Sequence, residues 1–317
     1  MNKGKKITIL GAGNVGASIA YTLTINGQAS EIVLIDINTK KAEGEAMDIL
    51  QGTPFSNPVN IYSGDYPDAA GSDLVIVTIG MARKPGMTRL DLAQTNVNIV
   101  KSVMPQITKY AHDAVYVVVS NPVDIITYTI LKCTDLDEHQ VIGSGTILDS
   151  SRLRSKLADH VGLNPKNVHA YVFGEHGDSA VIPWSIATIG GLPMRDYCTH
   201  ICSNHNQCGK GDLMAIEDDV RTAGAKVISL KGATYYAIAL SVSLLCDCIN
   251  RDANSMITVS SMLHGEYGIE DVCLSIPYVL GAQGIVRSIT PPLEPAEQEK
   301  LVASANILKD LISKLEI

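Results

Sequence analysis

The residues best suited to chemistry sit in a few short stretches of the chain. Gly174-Glu175-His176-Gly177-Asp178 places glycines on both sides of an acid–histidine pair, which predicts a tight turn that presents the imidazole. A histidine titrates near neutrality and suits the transfer of a proton to or from an alcohol. Asp149, in Leu148-Asp149-Ser150-Ser151-Arg152, can orient that ring, and Arg152 follows three residues later on the same helix face. A plain surface salt bridge between Asp149 and Arg152 is the alternative. A third stretch, residues 80–91, carries Arg83, Lys84 and Arg89 with Pro85, Gly80 and Gly86. It follows a strand ending at residue 79 and predicts a mobile, anion-gathering loop, with a solvated basic turn as the competing reading.

Gly11-Ala12-Gly13-Asn14-Val15-Gly16 fits G-x-G-x-x-G directly after a short β-rich run and opens a helical stretch. In that context Gly11 makes the tight turn, Gly13 lets backbone approach a pyrophosphate, and Gly16 allows helix–strand contact. The helix then offers its amide donors to the phosphates. Asp36 ends the next strand, twenty residues after Gly16. A carboxylate there accepts hydrogen bonds from an adenosine ribose and repels a 2′-phosphate, so NAD is expected rather than NADP. A glycine turn beside an unrelated surface aspartate is the bland alternative.

These groups need a frame. In the first 145 residues β-rich runs at 7–10, 32–35, 74–79 and 115–119 alternate with helix-length stretches at 14–27, 40–51 and 88–109. Crossovers of that length predict a doubly wound parallel α/β sheet. The later half is mixed: a helix near 149–161, a strand at 168–173, one long helix over 212–250 with Gly224 and Gly232 as kink points, β runs at 256–262 and 272–279, and a terminal helix from Pro295. The expected division is 1–145 and 146–317, with a packed interface between the halves.

Composition narrows the class. The chain has 317 residues, 46% hydrophobic and 18% charged, with a formal net charge of −8. Such a chain buries a sizeable core, and its acidic balance argues against a nucleic-acid partner. No apolar run reaches membrane-spanning length, and residues 7–10 are too short for a signal-peptide core, so a cytosolic location is expected. Seven cysteines fit reduced thiols better than a disulfide framework. Cys198, His200, Cys202, His205 and Cys208 cluster, but their spacing matches no standard zinc pattern, so a surface loop and no metal is the expectation.

Taken jointly, several segments make the chain resemble the L-lactate/L-malate dehydrogenase family over essentially its full length. They are the glycine motif at 11–16, the loop at 82–89, Ser120-Asn121-Pro122-Val123-Asp124, Gly143-Ser144-Gly145-Thr146, residues 148–152 and 174–179, and Lys231-Gly232-Ala233-Thr234-Tyr235-Tyr236. The resemblance implies a Rossmann NAD domain carrying the loop at 81–91, followed by a mixed α+β catalytic domain. It implies that His176 is the proton donor–acceptor and Asp149 its partner. Arg152 would bind the substrate carboxylate, Arg89 would polarise the carbonyl, Asn121 would touch substrate and cofactor, and Thr234 would line the pocket. Asn14, Val15, Asp36, Lys41, Tyr66, Gly80, Met81, Ser102, Ser120 and Ser144 match positions near NAD.

The substrate stays open between pyruvate and oxaloacetate. Arg83 and Met87 resemble malate-type members, and Arg83 can pair with a second carboxylate. Glu175, the 143–146 run and the 231–236 segment resemble bacterial lactate-type members. So do Arg154 and His169, which match positions binding fructose 1,6-bisphosphate across a subunit interface; alone, they read as a helix arginine and a strand-face histidine. The balance favours lactate, with malate or dual specificity as the alternative and a homotetramer implied. A non-catalytic NAD-binding regulator would have no need of His176, Asp149, Arg89 and Arg152 together. A serine hydrolase lacks its G-x-S-x-G turn.

Overall fold

Each apolar run in the first half is flanked by a helix long enough to return the chain to the same edge, which is what parallel pairing requires. The computed structural model describes residues 5–81, 86–202 and 210–317. Arg83, with most of the basic loop, and His205 and Cys208 lie outside the described residues. The first half runs β1 (Lys6–Leu10), α1 (Asn14–Ile25), β2 (Glu31–Ile35), α2 (Thr39–Gly52), β3 (Asn60–Ser63), β4 (Leu74–Val77), α3 (Arg89–Ala111), β5 (Val115–Val118), α4 (Val123–Cys133) and β6 (Val141–Gly143). The second half runs α5 (Ile147–Val161), β7 (Val168–His169), β8 (Thr188–Ile189), β9 (Leu192–Pro193), α6 (Met194–His200), α7 (Lys210–Lys231), α8 (Tyr236–Asn250), β10 (Ser255–His264), β11 (Glu270–Gly281), β12 (Gly284–Ser288) and α9 (Pro295–Ile312).

The parallel strands lie in the order β3-β2-β1-β4-β5-β6, the doubly wound arrangement with its crevice where the order reverses beside β1. Helices cover both faces, so Ile7, Ile9, Ile32, Leu34, Leu74, Ile76, Val117 and Ile142 are fully buried. The sheet does not stop at the midpoint of the chain. β10, β11 and β12 continue it antiparallel from β6, giving nine strands. The two halves therefore share a sheet as well as a packed surface. A second core gathers Leu153, Leu157, Val168, Val172 and Ile189 under the small sheet β7-β8-β9.

Three expectations change. The stretch 212–250 is two helices rather than one: Gly232 takes φ +84°, a left-handed conformation that ends α7 and leaves Thr234 in the break. Gly224 is no kink; it sits inside α7 facing the Arg152 guanidinium, and a Cβ there would stand 3.5 Å from it. The strand at 168–173 is only two residues long, after which Phe173 makes an isolated bridge to Val181. Short elements such as β3, β6 and α4 carry too little periodicity to stand out from the surrounding apolar sequence.

The sheet joint between the halves is narrow. Gly143 on β6 pairs with Ser260 on β10, and a Cβ on Gly143 would lie 2.5 Å from Thr127 Oγ1 and 2.8 Å from Ser260 Cβ. Gly143→Ala is expected to destabilise the chain by about 1–3 kcal/mol through overpacking. A lowered urea midpoint at unchanged slope would show it, whereas a midpoint equal to that of the parent chain would contradict the close joint.

Candidate active site

The turn that carries His176 hangs from three elements by three consecutive amides. Gly174 N–H donates to Ser275 O on β11 at 2.8 Å. Glu175 N–H donates to Ser304 Oγ on α9 at 2.9 Å, and His176 N–H donates to Asp124 Oδ2 on α4 at 2.9 Å. Glu175 closes the turn internally by accepting from the Ser179 hydroxyl. Gly177 leaves room for this closure: a Cβ there would stand 2.7 Å from the Glu175 carboxylate and force that side chain to shift.

Beneath the turn, the first turn of α5 supplies Asp149 with both oxygens engaged. Oδ2 meets His176 Nδ1 at 2.5 Å, and Oδ1 accepts from Arg152 at 2.8 Å. The expected Asp149–Arg152 pair thus forms, but it is no surface salt bridge: the two side chains are only 10% and 18% exposed. Burial of the imidazole works against its charged form. The Asp149 carboxylate outweighs this by charge and hydrogen bond, and Asp124 adds to it, so His176 keeps its proton above the ordinary 6.5. Burial likewise opposes ionisation of Asp149, yet His176 and Arg152 hold that carboxyl below its usual range.

His176, Asp149 and Arg152 open onto a cavity of about 330 Å³. Asn121 from the end of β5, Ser144 from the end of β6, Val15 from α1 and Thr234 from the α7–α8 break line it too. Arg89 does not. Its guanidinium reaches Asp178 at the cavity rim, with the two side chains 63% and 70% exposed, so water screens the pair. Arg83 lies outside the described residues.

The dinucleotide residues assemble along the carboxyl ends of successive strands, where doubly wound sheets bind ligands. Gly11 takes φ +100°, and a Cβ on Gly16 would lie 1.9 Å from Gly11 O, so both positions demand glycine. No side chain caps α1 at Gly13, and a Cβ on Gly13 would meet nothing within 4 Å. An uncapped helix end with open space above it fits a pyrophosphate. Asn14, exposed, is the first residue of that helix. Asp36, after β2, accepts from Ala12 N–H at 2.7 Å and from Asn38 N–H at 2.8 Å, which fixes the carboxylate beside the glycine turn. Tyr66 follows β3, half-buried, and Gly80 and Met81 follow β4. Ser120 is buried and donates to Ile79 O. Lys41 lies in the exposed first turn of α2, and Ser102 is exposed on α3, bonded to its own helix at Ile99 O. Neither lines the cavity.

Arg154 and His169 come to one surface. Arg154 Nε donates to Val168 O at 2.9 Å, next to the exposed His169 on β7. Residues that sequence reasoning passed over do much of the positioning. Buried Asn96 accepts from Met81 N–H and donates to Asn121 O, tying the foot of the basic loop to the cavity. Ser260 Oγ donates to Asp124 Oδ1 at 2.6 Å. Burial pushes the Asp124 carboxyl up to about 6, despite the hydrogen bonds from Ser260 and His176 that lower it. Single polar residues inside apolar runs carry no periodic signal. Asp124 alone stood within a segment matched to the family, without a role. Among the described residues no group of His, Cys, Asp and Glu could hold a metal ion. No described helix is long and apolar enough to cross a membrane.

A Gly-rich strand–helix turn, a ribose-side carboxylate and a paired His–Asp facing an arginine in one crevice define an NAD-dependent oxidoreductase acting on a CH–OH group. The chain belongs to the lactate/malate dehydrogenase family. Residues 5–143 match that family's NAD binding domain and residues 146–316 its alpha/beta C-terminal domain. It is 48% identical over 313 residues to the L-lactate dehydrogenase of Acetivibrio thermocellus, covering 99% of this chain and 98% of that one. To L-lactate dehydrogenase 1 of Clostridium acetobutylicum it is 46% identical over 315 residues, covering 99% and 100%. Among solved structures, the ligand-bound minor L-lactate dehydrogenase of Enterococcus mundtii superposes with a TM-score of 0.94 at 37% identity, covering 99% of each chain.

The electrostatics set a pH rule. With His176 as the proton donor, kcat/KM for a keto acid is expected to hold below the raised histidine pKa and to fall as pH climbs through it. Asp149→Asn removes the charge that raises it. The fall then moves to lower pH, and the rate at pH 7.5 drops by about 10²–10⁴. Stopped-flow NADH absorbance across about pH 5.5–9 reads both, and an unmoved profile contradicts the pairing.

Proposed function

We propose that the chain is an L-lactate dehydrogenase, interconverting pyruvate and L-lactate in the cytoplasm, with residues 1–145 as the NAD unit and 146–317 as the catalytic and oligomerisation unit. The observation that carries the reading is the Asp149 carboxylate held between His176 and Arg152 at the cavity wall. The names borne by relatives that match nearly the whole chain favour lactate.

Arg152 turns its guanidinium from Asp149 to the substrate carboxylate as a two-pronged fork. That fork and Thr234 fix the keto carbon over the crevice, and Asn121 orients the carbonyl. When bound, the dinucleotide supplies the hydride in reduction and takes it up in oxidation. His176 donates its ring proton to the carbonyl oxygen, and Asp149 stabilises the imidazolium beforehand. Arg89 leaves Asp178 and stabilises the negative charge developing on that oxygen. Gly11, Gly13, Asn14, Val15 and Gly16 hold the pyrophosphate side, Asp36, Lys41 and Tyr66 the adenosine side, and Gly80, Met81, Ser102, Ser120 and Ser144 complete the cofactor cleft. Arg154 and His169 bind fructose 1,6-bisphosphate between subunits. Exposed Tyr236, Leu240 and Leu244 on α8, beside Tyr21 and Ile25 on α1, support self-association into a homotetramer.

A malate or dual-specificity reading rests on Arg83, whose charge matches the second carboxylate of oxaloacetate. NADH oxidation with pyruvate and with oxaloacetate, each with and without fructose 1,6-bisphosphate, separates the two. Pyruvate preferred and activated is expected; oxaloacetate preferred without activation overturns the lactate assignment. Arg83→Gln is expected to raise the pyruvate/oxaloacetate ratio of kcat/KM by tenfold or more, since losing a desolvated charge partner costs about 2–5 kcal/mol. An unchanged ratio refutes Arg83 as selector.

A further inference from the structure

Asp124 is buried to 2% exposure in the first turn of α4, and no step above uses it. Its two oxygens accept from His176 N–H and from Ser260 Oγ–H, so the carboxylate touches the backbone of the catalytic histidine itself. An amide or hydroxyl side chain would accept the same N–H without the cost of burying a charge. With its carboxyl at about 6, Asp124 is nonetheless mostly ionised at neutral pH.

The surroundings show what that charge does. Two helices aim anions at the histidine: Asp149 from α5 and Asp124 from α4. Arg152, also on α5, opposes them. On the turn itself Glu175 is occupied by Ser179, and Asp178 by Arg89. α7 contributes Glu217 and Arg221 to the cavity wall, where Glu217 accepts from the Trp184 indole at 2.6 Å and lies 3.8 Å from Arg221. From the sheet, β10 presents the Ser260 hydroxyl and β11 the buried Cys273 thiol toward Asp124.

We propose that Asp124 is a positioning residue for proton transfer: it pins the His176 backbone and, as a second buried anion, holds the proton on the His176 ring. This rests on the reading of His176 as the proton donor–acceptor.

The test uses the full-length chain, with pyruvate plus NADH in one direction and L-lactate plus NAD⁺ in the other, over a pH series. Asp124→Asn keeps the shape and an acceptor oxygen for His176 N–H while removing the charge. The apparent histidine pKa is expected to fall by about half a unit to one unit. Pyruvate reduction above that pKa then drops by about three- to tenfold, while lactate oxidation below it rises by a similar factor. Those opposite signs are what a loosened turn would not produce. An unmoved profile, or an equal loss in both directions at every pH, overturns the proposal.

Ser260→Ala provides the second variant, should Asp124→Asn fail to fold. Without the hydroxyl, Asp124 protonates more readily, so the same shifts are expected at smaller size. An unmoved profile in a folded Ser260→Ala chain overturns the proposal as well. His176→Asn separates the two claims: retained activity there would overturn the reading of His176 itself, whereas lost activity with an unmoved Asp124→Asn profile would overturn the role of Asp124 alone.

Discussion

Everything at the cavity wall depends on one carboxylate serving two cations. Asp149 meets the imidazole with one oxygen and the Arg152 guanidinium with the other. Removed from bulk water, it is held below the usual carboxyl range because the charges and hydrogen bonds of both partners outweigh its burial. The arrangement places the partner of the imidazole and the arginine that faces the cavity three residues apart on α5. A surface pair of the same composition would be screened and of little energetic consequence.

The second constraint is that the histidine must not drift from that carboxylate. Three successive amides of the turn are anchored to β11, α9 and α4, elements drawn from the antiparallel extension, the terminal helix and the parallel half. The nine-stranded sheet runs through both halves and carries the β11 anchor directly. β10 and β11 continue from β6, so Ser260 and Ser275 keep register with Gly143 and the turn. Rigid support behind a reacting group is what preorganisation requires.

The glycine motif, the Asp36 spacing and the strand–helix alternation were legible because each is a local pattern tied to local geometry. His176 could be singled out by its flanking glycines, whereas the helix spacing of Asp149 and Arg152 read equally as a plain salt bridge, and the resemblance named Asp149 as the partner of His176. Asp124, Ser260, Ser304 and Asn96 were not legible as positioning groups, since each acts across more than a dozen residues of chain and its partner is set only by tertiary packing. The helix expected over 212–250 failed for a related reason. A glycine inside an apolar, helix-periodic run reads equally as a kink or a stop, and only its positive φ decides. That stop matters to the site, because it delivers Thr234 to the cavity. Arg89 opens α3 directly after the basic loop, yet its side chain pairs with Asp178 at the rim, a partner that no spacing rule links to it.

The central claim is that Asp149 holds the proton on His176. NMR titration of the His176 ring carbon-bound protons, assigned by their loss in His176→Asn, measures this without turnover. The account predicts a midpoint above the ordinary 6.5, with the Nδ1–H tautomer retained toward Asp149 once the ring is neutral. A midpoint at or below 6.5, or a neutral ring protonated at Nε2 instead, would contradict it.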